Sequence, residues 1–317
     1  MEKLKQQFLE VSDVLELGNP AIIEKDYWVV ALLSELAKVK AASHQMVFSG
    51  GTALAKSNVK ILRMSEDVDI KLIPKPAFNE LSRAKKKAVR KICINEVEQA
   101  ITQSKLFTIE ERTVNDEYRY VEFEFRYPQQ FSQSPCLRPI IKLELMETIP
   151  LLDVEPRSIQ SLVAELYKQP QEVSAFDCIS IHATLVEKVI SMLRRTMSVK
   201  RDVQRKDDAT LVRHIYDVYC ILKTEEQTES LDLEALTPLF KSVLEEDIER
   251  FGSQHAEFVV NPKQELQLGL QEIEENPAFR QRFQDFVTPM VFSAEPHDFD
   301  TCFTSFKRIA ELLIKTI

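Results

Sequence analysis

Glycine is scarce in this chain, with five in 317 residues, at positions 18, 50, 51, 252 and 269. That scarcity removes whole function classes. There is no G-x-x-x-x-G-K-[ST] loop and no G-x-G-x-x-G turn, so P-loop and dinucleotide-binding readings fail on motif grounds. Long apolar runs are also missing. None approaches the ~20 residues that a membrane-spanning helix needs. The start, MEKLKQQFLEV, reads as a polar amphipathic helix and not as a signal peptide. The five cysteines (93, 136, 178, 220 and 302) lie far apart with no C-x-x-C pair, which leaves neither a zinc knuckle nor a disulfide framework. They fit a reduced, cytoplasmic protein. The five histidines form no H-E-x-x-H. Cationic excess is missing too: 41 Lys and Arg stand against 50 Asp and Glu, a net charge of −9. This argues against a surface coated in positive charge for indiscriminate nucleic-acid binding, but not against a local basic patch.

What is present is concentrated between Met46 and Leu72. Met46-Val47-Phe48 has strand character, and Gly50-Gly51-Thr52 breaks it. Two adjacent glycines in so glycine-poor a chain mark a backbone that something must approach closely, with N–H groups open to an anion. Thr52 to Lys56 can start a helix. A second strand follows, Asp67-Val68-Asp69-Ile70-Lys71-Leu72. Side chains alternate along a strand, so Val68, Ile70 and Leu72 share the buried face and Asp67 and Asp69 share the other. Two carboxylates at that spacing repel each other unless a cation lies between them, and Mg²⁺ (or Mn²⁺) is the oxygen-seeking candidate. A glycine turn for phosphates followed by a metal-holding D-x-D strand is the apparatus of nucleotidyl transfer from an NTP.

Together, G-G-T-A-L-A-K (50–56) and Arg63-Met-Ser65-Glu-Asp67-Val-Asp69 resemble the AbiEii/AbiGii toxin family of nucleotidyltransferases, a branch of the polymerase-β-like superfamily. The segment I-E-K-D-Y-W-V-V-A-L-L (23–33), E-K-V (187–189) and Y-D-V-Y (216–219) are similar to that family's pattern in the same order. The resemblance implies that Lys188 contacts the triphosphate and that Asp217 is an active-site residue, orienting Lys188 or helping to deprotonate the acceptor. It also implies a third metal carboxylate on a neighbouring strand. Glu144 in Pro139–Glu147 is the candidate, with Glu122 and Glu124 as competitors. Gly50, Gly51, Thr52, Arg63, Ser65 and Lys188 become the nucleotide-binding set, Asp67, Asp69, Lys188 and Asp217 the catalytic set, and Asp67, Asp69 and Glu144 the metal set. Two departures stand out. His214 occupies the position of the pattern's first aspartate, and fourteen residues separate Thr52 from Asp67, longer than is usual in the superfamily at large.

The implied fold is α/β (α+β): a polymerase-β-like core with a mixed sheet over residues 1–150, including N-terminal helices, then a helical domain over 151–317 closing the active-site cleft. Periodicity predicts helices at 2–17 and 21–38, a long helix at 77–104 with Leu81, Ala84, Ala88, Ile92, Val97 and Ile101 as its apolar stripe, and strands near 106–114, 119–127 and 139–147. From about 150 onward it predicts helices only, at 158–168, 181–198, 207–223, 231–250, 263–274, 276–287 and 297–316. By residue physics alone, Lys25 and Asp26 form a solvated pair, Tyr27 and Trp28 pack, Arg213 and Asp217 pair at i, i+4, and Asp207, Asp208, His297 and Asp298 cap helices. Basic residues cluster at 83–91 and 194–206, where they suit RNA phosphates. The function expected is Mg-dependent transfer of NMP from NTP to RNA. The resemblance makes the tRNA 3′ end the acceptor and the protein a toxin with a separate antitoxin, in toxin–antitoxin or phage-defence pairs. The alternatives are a nucleotide-binding module without transfer, and NMP transfer to a protein or a small molecule.

Overall fold

The computed structural model describes residues 2–59, 61–132, 137–148, 154–202, 204–228, 232–291 and 297–317. Cys136 lies outside them. The chain divides into two units: the described residues of Met1–Asn58, Met64–Pro150 and Val154–Ile179, and those of Val59–Arg63 and Ser180–Ile317.

The first unit holds α1 (Glu2–Val14), α2 (Pro20–Leu36), β1 (His44–Ser49), α3 (Gly50–Ala55), β2 (Asp67–Pro74), α4 (Pro76–Asn79), α5 (Arg83–Gln103), β3 (Thr108–Asn115), β4 (Tyr120–Arg126), β5 (Ile141–Glu147), β6 (Val154–Ile159), α6 (Leu162–Leu166) and β7 (Val173–Ile179). Gly18, at φ +65°, and Pro20, at the first turn of α2, separate the first two helices, and Asn19 caps the second by accepting from the Ala21 N–H. The strands form one mixed sheet in the order β3-β4-β5-β2-β1-β7-β6. β2 runs antiparallel to β1 and parallel to β5. Strand alternation makes one sheet face apolar: Val68, Ile70, Phe123, Phe125, Leu143 and Leu145 pack with Trp28, Leu32 and Leu33 of α2 and Cys93, Ile94 and Val97 of α5. The opposite face is where the polar residues of β2, β4 and β5 emerge.

Two expectations need correction here. Residues 154–159 and 173–179 are strands, with only the short α6 between them, so the core unit ends at Ile179 and not at 150. β7 pairs in parallel with β1, and β6 is a sheet edge, the position in which a strand tolerates a residue such as Pro156. The helix expected at 77–104 breaks into α4 and α5. Its buried positions are Arg90, Cys93, Ile94, Val97 and Ile101, whereas Ile92 is 57% exposed. Arg90 is drawn inward by Glu147, its Nε 2.6 Å from Oε2 and its Nη2 2.7 Å from Oε1. Arg83 of the same basic run reaches Glu117, while Lys85, Lys87 and Lys91 remain exposed.

The second unit is helical: α7 (Ile181–Arg201), α8 (Arg213–Thr228), α9 (Leu233–Phe251), α10 (Ala256–Val260), α11 (Pro262–Glu275), α12 (Pro277–Met290) and α13 (Phe299–Ile314). α7 is its axis, buried around most of its circumference. α11 approaches it so closely that a β-carbon on Gly269 would lie 2.6 Å from the Leu193 carbonyl oxygen. Asp208 caps a 3₁₀ turn (Ala209–Val212) ahead of α8, and Asp298 caps α13 by accepting from Thr301 N–H at 2.8 Å. His297 instead sits by the Tyr219 ring and Lys223. No helix of the described residues is long and apolar enough to cross a membrane.

The Glu147 cluster gives the first unit an acid-sensitive element. Burial alone would raise the Glu147 carboxyl, but His44, at 3.1 Å, and Arg90 overcome it and hold the group down to about 2. A depressed carboxyl contributes stability that is complete above its unfolded value, near 4.5, and is lost as pH falls from there towards 2. Glu147→Gln should therefore lower the urea midpoint at pH 7 and flatten its dependence on pH below about 4.5. An unchanged acid limb in the variant would refute this assignment.

Candidate active site

β1 ends at Ser49, and the chain turns through Gly50 into α3. Gly50 has φ +77°, a region in which a side chain is strained. It also has no room for one: a β-carbon there would meet Asp69 Oδ2 at 1.9 Å and Asp69 Cγ at 2.8 Å. The glycine backbone thus lies against the Asp69 carboxylate. Ser49 is the register partner of Asp69, and its hydroxyl donates to the Asp69 carbonyl at 3.1 Å. Thr52 Oγ1 donates to the Asp67 carbonyl, which leaves the Ser65 hydroxyl, 2.9 Å away, to donate to Thr52. Glycine turn, Thr52, Ser65 and the D-x-D strand are therefore one bonded assembly.

Asp67 and Asp69 occupy the same face of β2, as their spacing predicts. On β5, Glu144 is the register partner of Asp69 and Lys142 that of Asp67. Glu122 and Glu124 lie one strand further away, opposite Glu144 and Lys142 respectively. Of the three carboxylates considered as a third ligand, Glu144 is thus the one beside β2. Its side chain, however, is held by Lys142, whose Nζ is 2.6 Å from Glu144 Oε1 and 2.8 Å from Glu122 Oε2. Burial opposes the Lys142 charge, but these two carboxylates outweigh it and raise its proton affinity. Glu122, also accepting from Tyr120 at 2.8 Å, is held below the usual carboxylate range against the opposing effect of burial. Arg138 Nη1 lies 2.8 Å from Asp67 Oδ1.

Tested against a divalent cation, the donor chemistry fits as a pair. Asp67 and Asp69 offer hard oxygen ligands from one strand face, and Mg²⁺ takes one or two carboxylates with phosphate and water completing its shell. A closed three-carboxylate cage is not gathered among the described residues, because Glu144 turns to Lys142.

The E-K-D segment of α2 is not solvated, which corrects the reading of Lys25 and Asp26. Glu24 accepts from the backbone N–H groups of Gln130 (2.7 Å) and Phe131 (3.2 Å). Lys25 is fully buried: Nζ donates to the Arg138 carbonyl at 2.9 Å and to that of Ile140, and lies 3.3 Å from Glu66. Asp26 pairs with Lys56 at the end of α3 and accepts from Leu162 N–H at 2.7 Å. Three consecutive side chains thus tie down the chain around the glycine turn and the start of β5. Helical periodicity cannot show this, because it treats charge as a mark of the outer face. Tyr27 and Trp28 pack, as expected.

In the second unit, Lys188, Asp217 and Arg63 come together in one buried cluster. Arg63 Nε and Nη2 donate to Asp217 at 2.5 and 2.6 Å, and Lys188 Nζ lies 2.7 Å from Asp217 Oδ2. Asp217 thus turns to Lys188 and Arg63, not to Arg213. Burial would raise its carboxyl, but the two cations outweigh it and hold the group well below the usual range. The Lys188 ammonium is pushed down by burial. Lys188 is only 7% exposed. A fully buried carboxylate that binds protons so weakly is suited to orienting Lys188 and unsuited to acting as a general base. His214, in place of the pattern's aspartate, is kept neutral by burial and the nearby Lys188 and Arg213 charges, and its Nδ1 has no hydrogen-bond partner.

A family model described as "Nucleotidyl transferase AbiEii toxin, Type IV TA system" matches residues 31–305, which include the glycine turn, Arg63, Ser65, Asp67, Asp69, Glu144, Lys188 and Asp217 but not the E-K-D segment at 24–26. No curated protein matches the chain.

Gly50→Ala should force the Asp69 carboxylate to move and cut transfer by at least about 100-fold, since displacing a reacting group by about 1 Å has that cost. Gly18→Ala is the control, because Gly18 shares the positive φ (+65°) but meets nothing within 4 Å. Equal activity in the two variants would show that the Gly50–Asp69 contact is immaterial. Asp217→Asn strands two buried cations and should cost about 3–5 kcal/mol at pH 7 in urea denaturation. In the parent protein this contribution is present above the ordinary carboxyl range and is lost on acidification, so the difference between variant and parent should shrink at low pH.

Proposed function

Because the chain belongs to the AbiEii family of nucleotidyl transferase toxins of type IV toxin–antitoxin systems, it is a nucleotidyltransferase with an antitoxin partner, and we propose that it transfers NMP from an NTP to RNA, with the 3′ end of tRNA as acceptor. The observation that carries this reading is the Gly50 backbone packed against the Asp69 carboxylate, beside Asp67 on the same strand face. That arrangement suits a triphosphate and a divalent cation meeting at one point.

In this proposal Asp67 and Asp69 hold Mg²⁺ or Mn²⁺, with Glu144 as the third ligand when it is released from Lys142. The bound cation would orient the triphosphate and neutralise charge on departing pyrophosphate. The Gly50–Gly51 backbone receives phosphate oxygens, and the bonded Thr52–Ser65 pair keeps that turn fixed to β2. Lys188, oriented by Asp217, supplies positive charge to the triphosphate. Arg63 acts through Asp217, since both of its forward donors are used there. The acceptor hydroxyl oxygen bonds to the α-phosphorus, the bond from that phosphorus to the bridging oxygen of pyrophosphate breaks, and the hydroxyl proton leaves to solvent. The proposal places the protein in the cytoplasm, where tRNA is, in a toxin–antitoxin role that extends to phage defence.

The test is to incubate the protein with Mg²⁺, each labelled NTP in turn and total bacterial tRNA. Label should appear on RNA and fall at least about 1,000-fold in an Asp67→Ala/Asp69→Ala variant. Undiminished labelling in the variant would overturn the site. Label confined to protein would overturn the acceptor.

A further inference from the structure

Among the described residues, the second unit contains a cavity of about 600 Å³ that the proposed chemistry does not use. It is lined by the C-terminal half of α7, the 3₁₀ turn before α8, the end of α9, and parts of α11 and α12. Six cationic side chains line it against three carboxylates, in a chain whose net charge is −9. The three carboxylates are each taken: Asp208 by Arg195, Asp207 by Arg282 and Glu272 by Lys200. Arg194 is 6% exposed, paired with Asp247 at 2.7 Å and stacked on Phe251, 3.9 Å from the ring centroid. The Arg205 side chain hydrogen-bonds the neutral Gln254 and pairs with no carboxylate among the described residues, and Lys206 is exposed. The cavity therefore has a wall whose four cations are each matched by a carboxylate, and at its lip two cations that no carboxylate of the described residues neutralises.

Most of its neutral polar side chains are already engaged. Thr196 donates to the Met192 carbonyl, Ser198 bonds His255, and Asn276 donates to Glu272. Surplus positive charge with few base-reading groups suits the phosphodiester backbone, which positions a strand without reading its sequence. A free nucleotide would need its base held as well. We propose that this cavity is a docking subsite for the backbone of single-stranded RNA, engaged through Arg205 and Lys206 at its lip. The inference rests on the reading of RNA as acceptor and adds where on the helical unit that RNA is gripped.

The experiment uses the full chain and a double variant, Arg205→Glu/Lys206→Glu. A charge-matched control carries Lys241→Glu/Lys315→Glu, at two exposed lysines outside the cavity lining. Binding of a labelled 12-nucleotide single-stranded RNA is titrated from low to physiological salt. The lip variant should bind at least about 10-fold more weakly, and its salt slope should fall by about 1.4, at 0.7 per phosphate contact on a single strand. The control should keep both, and all three proteins should melt alike. Equal weakening in the control, or an unchanged slope in the lip variant, overturns the subsite. Weakened binding of ATP or GTP with RNA binding intact also overturns it, in favour of a nucleotide site. Because binding is read without turnover, the subsite survives or fails independently of whether tRNA becomes labelled.

Discussion

Gly50 has no space for a β-carbon, and much of the first unit follows from that constraint. The contact fixes the glycine turn to Asp69, Ser49 fixes the end of β1 to the same residue, and Thr52 and Ser65 fix α3 to the start of β2. Antiparallel pairing of β1 and β2 sets this register along its whole length, from Ser49↔Asp69 to His44↔Pro74. A one-residue slip would send both aspartates into the apolar face and Val68 and Ile70 out of it. The hydrophobic pattern of β2 therefore protects the geometry of its carboxylates. Fold and chemistry share one set of constraints at this strand.

Buried charge does the remaining positioning. Glu24, Lys25 and Asp26 in the first unit and Arg63, Lys188 and Asp217 in the second are all removed from water and all partnered. Such groups are a poor route to stability, because desolvation offsets most of the attraction. They are an effective route to specificity, since a misplaced neighbour leaves a charge unpaired at a cost of several kcal/mol. Lys25 illustrates this: an ammonium that takes two carbonyls just ahead of β5 together with Glu66 just ahead of β2 places the starts of two adjacent parallel strands.

The elements legible in the sequence are those in which local pattern and tertiary environment agree. β1, the glycine turn, β2 and the alternating strands β4 and β5 follow directly from period-two patterning, and α7, α11 and α13 from their period and caps. β6 and β7 were illegible, because V-E-P-R-S-I and V-S-A-F-D-C-I carry proline, charge or serine at positions where pairing, not burial, defines the strand. The apolar stripe expected along α5 omits Arg90, which counts as polar until Glu147, far away in sequence, draws it inward. The shared strand face of Asp67 and Asp69 is legible from their spacing. The reach of Lys142 to Glu144 and Glu122 follows only from knowing that β5 lies between β2 and β4.

Lys142 also bears on how a carboxylate-rich sheet face is tolerated before any cation binds. Asp67, Asp69, Glu144 and Glu122 project from three neighbouring strands, and like charges opposite each other on adjacent strands are destabilising. Lys142 lies between two of them, and Arg138 pairs with a third. The face is therefore charge-compensated by residues of its own sheet and of the segment entering β5. A divalent ion held by Asp67 and Asp69, as proposed above, would compete with Arg138 for Asp67 and would reach Glu144 only if Lys142 yielded. Lys142 retains Glu122 as an alternative partner 2.8 Å away, so release of Glu144 need not leave the ammonium unpaired. Glu122 on β4 would thus have a use that spacing along the chain does not suggest: it would keep the lysine paired were Glu144 to join the two aspartates at a cation.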